Sequence, residues 1–90
     1  MIYEVSFRKV GPREYRAAPR GTGLVYEVTR TSWTDGRPGN IYDVARVEDD
    51  GTRTMLAGAY VYADPPRTLR QCEAVIYDDL PDWVKYGATA

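Results

Sequence analysis

A 90-residue chain with 43% apolar and 28% charged residues is long enough for one small domain and too apolar for a disordered tail. Its formal charge of −1 excludes a strong overall field for steering partners. The single cysteine excludes an internal disulfide framework, and the absence of histidine excludes Ser-His-Asp and Cys-His catalytic sets.

Residues Ile2 to Arg8 come first, with Tyr3, Val5 and Phe7 alternating with Glu4, Ser6 and Arg8. That is the period of a half-buried strand. Gly11-Pro12 breaks it. Residues 10–23, VGPREYRAAPRGTG, read as a long basic loop, with room for a short strand around Glu14–Ala17. Arg8, Lys9, Arg13, Arg16 and Arg20 surround Glu14 there, and Tyr15 lies among them.

Leu24 to Thr31 predicts a second strand, with Leu24, Tyr26 and Val28 on one face. The following TSWTDGRPGN is dense in turn formers and carries Trp33. This tryptophan either plugs the core from a loop or stands at a contact surface. Ile41–Val47 and Arg53–Tyr62 then read as a hairpin about a two-residue Asp50-Gly51 turn. That register sets Glu48 opposite Arg53, Val44 opposite Ala57 and Asp43 opposite Gly58, where the glycine leaves room for a bulge or another backbone.

Asp64-Pro65-Pro66 ends the last strand. Thr68-Leu69-Arg70-Gln71 fits a capping box, and Leu69, Cys72, Ile76 and Leu80 form one helical stripe. Pro81 stops the helix. Cys72 therefore reads as a small buried hydrophobe. Asp78, Asp79 and Asp82 crowd the negative end of the helix dipole, so an offsetting cation is expected. A partner or the protein's own basic loop would supply it, unless residues 72–77 are a strand instead.

The expected fold is α+β: an antiparallel sheet of about four strands with one C-terminal helix on one face. A small all-β barrel is the alternative. In a simple meander the basic loop and the Asp49-Asp50 turn share one end of the sheet. The Trp33 loop and Pro65-Pro66 share the other.

No phosphate loop, dinucleotide fingerprint, calcium loop or zinc spacing is present. No run reaches the length of a membrane span, and no leader segment is evident. These features set the expectations of no enzyme activity, no cofactor, no metal and a cytoplasmic location. Residues 1–46 carry eight basic against five acidic side chains, and residues 47–90 carry four against eight. Eight tyrosines, two tryptophans and one phenylalanine, with arginine, are the residue types of binding hot spots.

The expected function is a small binding protein that docks on a larger protein. The partner-blocking role expected is that of an inhibitor of a host enzyme or defence complex, encoded by a phage or other mobile element. The candidate contact residues are Trp33, Tyr15, Arg13, Arg16, Arg20, Asp78 and Asp79. The alternative is a nucleic-acid-binding module using Arg13, Arg16, Arg20 and Tyr15. A homodimer through an open sheet edge is a further expectation to test.

Overall fold

The computed structural model describes residues 5–19, 22–33, 36–58 and 65–81. Among these residues five strands run in chain order as one antiparallel meander: β1 (Arg8–Gly11), β2 (Glu14–Ala17), β3 (Val25–Ser32), β4 (Asn40–Val47) and β5 (Arg53–Ala57). Helix α1 (Leu69–Asp79) packs on β4 and β5. The architecture is α+β, and among the described residues the sheet is open, with no barrel closure.

The fifth strand comes from Glu14–Ala17. It turns the supposed basic loop into a tight hairpin, in which Gly11 faces Glu14 across Pro12-Arg13. The first strand is displaced from its expected span as a result. Pro19 lacks an N–H and restricts Ala18, so β2 ends at Ala17. The ladder with β1 then ends at the Arg8–Arg16 pair. Residues 5–7 are not in a strand, yet Val5 is buried in the core and Phe7 packs against it.

One sheet face carries Ala17, Tyr26, Val28, Tyr42, Val44 and Ala57, and these meet Cys72, Ile76 and Leu80 of the helix side. Every other residue of a strand faces the same way, so β3 and β4 each contribute alternate side chains to this core. Tyr26, Val28, Val44, Cys72 and Ile76 are fully buried. Burying a side chain of this size contributes about 1.5–3 kcal/mol.

The helix forms where its apolar stripe requires it, despite the strand preference of Val75-Ile76-Tyr77. Thr68 caps it by accepting from the Gln71 N–H at 3.1 Å. The return bond differs from the expected box: Gln71 Oε1 accepts from the Arg67 N–H, one residue further out, at 2.6 Å. At the other end Leu80 is extended, as a residue before proline must be, and its N–H closes on Ile76 and Tyr77 carbonyls.

The β4–β5 turn also differs from its expected form. Gly51 N–H bonds the Glu48 carbonyl at 2.9 Å, and Glu48 N–H bonds the Thr52 carbonyl at 2.7 Å. With Gly51 at φ +88°, this is a three-residue loop built on a type I turn. Asp50 favours it by accepting from both the backbone and the hydroxyl of Thr52. The register near the turn therefore slips by one, to Val47–Arg53. A bulge between Val44 and Ala45 restores Val44–Ala57. The expected Glu48–Arg53 pair does not form. Glu48 binds Arg46, and Arg53 binds Glu27.

Candidate functional site: the Trp33 end of the sheet

The meander gives the sheet two chemically different ends. Residue pairing sets Arg13 beside Arg30, whose N–H bonds the Arg13 carbonyl at 2.8 Å. Arg30 faces Tyr42 on β4, and Tyr42 N–H bonds the Pro66 carbonyl at 2.9 Å. The Pro12-Arg13 turn, the Trp33 loop and the Pro65–Thr68 approach to the helix thus converge at one end. The loop after β2, the acidic 48–52 turn and the helix C-terminus lie at the other.

Trp33 is the centre of the first end. It is half-buried. The Arg37 guanidinium carbon lies 3.7 Å from its ring centroid, and that of Arg67 lies 5.4 Å away. Each arginine comes from a different chain segment, so the indole ties the β3–β4 loop to the segment leading into α1. Cation–π contacts of this kind contribute about 0.5–1 kcal/mol at exposed sites. Arg13 and Arg70 are exposed at the same end, and the first turn of α1 contains no acidic residue. Arg30 is half-buried, and its Nε is a buried donor without an acceptor.

The opposite end is acidic, and Arg46 holds two of its acids. Asp79 receives Arg46 Nη1 on both carboxylate oxygens, at 2.7 and 2.9 Å. Tyr26 donates its hydroxyl to Asp79 Oδ2 at 2.7 Å. Arg46 Nε donates to Glu48 at 2.7 Å. The cation that offsets the acidic helix end is thus Arg46 of β4, one of the protein's own strands, and neither the basic segment nor a partner is needed for Asp79. Burial and the neighbouring Asp79 carboxylate raise the Tyr26 phenol well above its ordinary range. Hydrogen bonding to Arg46 lowers the Glu48 carboxyl.

The candidate contact residues therefore separate. Trp33 and Arg13 share the basic end. Arg16 lies on the sheet face away from the helix, 3.6 Å from Glu27, which also holds Arg53. Tyr15 packs edge-on against Tyr42, with centroids 6.5 Å apart, and borders the core. Asp79 is spent on Arg46 and Tyr26. Asp78 is exposed beside a groove of about 690 Å³ between α1 and β5. Arg20, Asp82, Trp83, Tyr60 and Tyr62 lie outside the described residues.

Cys72 is fully buried in the stripe, and burial pushes its thiol up to about 12. Its surroundings are those of a core residue. Among the described residues no three His, Cys, Asp or Glu side chains converge as a metal site. No helix among them is long and apolar enough to cross a membrane.

Sequence reasoning overlooked Arg30, Arg37 and Arg67 as members of the site. A signal for two of them existed. The alternation of a meander already sets the Trp33 loop and Pro65-Pro66 at one end, and Arg37 and Arg67 lie in those two segments. No known protein family, curated protein or solved structure matches this chain.

Proposed function

We propose that the protein is a non-enzymatic binding module that docks on a larger protein through its Trp33 end. The observation that carries this reading is the indole of Trp33 held beside two arginines from separate segments. Tryptophan and arginine dominate binding hot spots because they offer large area with few rotatable bonds and several donors. A tryptophan already fixed by its neighbours loses little further entropy on docking. Occlusion of a partner's working surface, the action of an inhibitor, needs nothing more than such a footprint.

Two residues of the nucleic-acid alternative sit in contacts elsewhere. Its Arg16 is paired on another face, and its Tyr15 is committed to packing. The test is an affinity capture from lysate of the source cell, run with and without nuclease, on wild type and Trp33→Ala. A protein recovered in near-equal amount with wild type, insensitive to nuclease and lost with Trp33→Ala, is the expected result. Equal recovery by both forms removes Trp33 as the anchor.

A further inference from the structure

We infer that Arg30 and Arg13 form a binding site for a dianionic phosphate, either the free ion or the end of a monoester. The site lies at the Trp33 end but does not depend on the docking reading. Its first support is a backbone contact. The Arg30 N–H donates to the Arg13 carbonyl at 2.8 Å, which makes the two residues cross-strand neighbours. Like charges in such positions destabilise the pairing. Arg16 of β2, Arg46 of β4 and Arg53 of β5 each meet a carboxylate. Among the described residues no hydrogen bond or ion pair engages the side chain of Arg13 or Arg30.

The second support lies within Arg30. Its Nε is a buried donor without an acceptor. Buried donors in folded proteins are satisfied by protein, water or ions with few exceptions, so an orphan on a charged group marks a place for an acceptor from outside. The terminal nitrogens of Arg30 are not among the buried unpaired atoms, and Arg13 is exposed. An anion can therefore approach from solvent and bring an acceptor to Nε as it seats.

The charge selects the ligand. Two neighbouring guanidinium groups carry two positive charges, and one carboxylate offsets only half of them. A phosphate monoester carries about −1.5 to −2 charge near neutral pH and offers three acceptor oxygens. The planar fork of arginine matches two of these oxygens, and the third is left for the second arginine. A nucleic-acid backbone offers one charge per phosphate and is met best by a continuous row of cations. Arg16 and Arg53, which would extend such a row across the sheet, are instead tied to Glu27.

Proton–nitrogen correlation spectra of arginine side chains test this directly, because each Nε–H gives its own signal. The probes are inorganic phosphate, phosphoserine, acetate and a short DNA duplex, with ionic strength held constant by sodium chloride. The Arg30 Nε–H signal of wild type is expected to move saturably with phosphate, and acetate should bind about tenfold more weakly. Phosphoserine binding as tightly as phosphate assigns the site to a monoester, and binding of phosphate alone assigns it to the free ion. Read from the backbone amides of Arg13 and Arg30, phosphate affinity should fall about fivefold in Arg13→Gln. It should fall about tenfold in Arg30→Lys, which keeps the charge and loses Nε. Arg16→Gln, whose charge is engaged elsewhere, should change it less than about twofold.

An Arg30 Nε–H signal that does not move saturably in wild type overturns the inference without recourse to any variant. Acetate binding as tightly as phosphate overturns it too, as does phosphate affinity unchanged in both Arg13→Gln and Arg30→Lys. Tighter binding of the duplex than of phosphate through the same two arginines would hand the site to nucleic acid. The dispersion of each variant's amide spectrum confirms that the fold is retained.

Discussion

Replacing Asp79 with alanine should destabilise the fold by about 2–3 kcal/mol. The side chain is 16% exposed and accepts from Arg46, which is 29% exposed, and from Tyr26, which is fully buried. Charge-assisted hydrogen bonds of this kind contribute about 1.5–3 kcal/mol, and a buried hydroxyl left without an acceptor costs about 1–3 kcal/mol. Part of this is already discounted, because Arg46 keeps Glu48 and remains in contact with water. Two gains oppose the loss. Removing an acid from the negative end of the helix returns about 0.3–1 kcal/mol, and alanine is the better helix former by about 0.5 kcal/mol. A domain of this size has a total stability of about 5–13 kcal/mol, so the change is large. Urea unfolding followed by far-UV circular dichroism should show the midpoint falling by about 1–2 M. The cycle with Tyr26→Phe should give a coupling energy near 1 kcal/mol. A midpoint for Asp79→Ala within about 0.3 M of wild type would refute this account, in which Asp79 locks the helix end to the sheet.

Three further outcomes are expected. Gly58→Ala should cost about 1–3 kcal/mol in the same assay, because Gly58 holds φ +155° and an added Cβ would lie on the carboxylate of Asp43. Cys72 should resist thiol reagents in the native state and react at a rate that follows unfolding, since its thiol is buried and its proton is held tightly; rapid labelling of native protein would contradict its place in the core. The third outcome concerns acid. The hydrogen bond from Arg53 keeps the Glu27 carboxyl below its ordinary value of 4.5. As pH falls, the unfolded chain takes up that proton first. The stabilisation is complete above the ordinary glutamate range and is lost as pH falls through the lowered folded value. Melting temperature should therefore fall less steeply on acidification in Glu27→Gln than in wild type, and parallel acid limbs would rule out the contribution.

The helix, its cap, its buried cysteine and the central strands were legible because each rests on local chemistry. Thr68 and Gln71 announce a start, Pro81 a stop, and the spacing from Leu69 to Leu80 needs only a helix to become one face. Alternation in Tyr26-Glu27-Val28 and Tyr42-Asp43-Val44 likewise settles which side chains point inward. Gly58 lies beside Asp43 as expected, but only because the bulge at Val44–Ala45 cancels the one-residue slip at the turn.

The Trp33 end was not readable in this way, because it is assembled from segments far apart in the chain. Glu14–Ala17 carries no strong strand signal of its own; it becomes a strand by pairing with β3, and that one extra reversal takes Arg13 to the end where Trp33 stands and leaves Arg16 beside Glu27. Arg46 looked like one charge on a strand, and only the packing of α1 on β4 and β5 delivers Asp79 to it. Charge pairs form across whatever backbone distance the fold leaves between them, and a side chain's exposure depends on its neighbours in space. Sequence alone determined the elements and their buried faces, which follow from period, capping and proline. Tertiary structure decided which distant charges pair, as Arg46 does with Asp79, and which segments meet around Trp33.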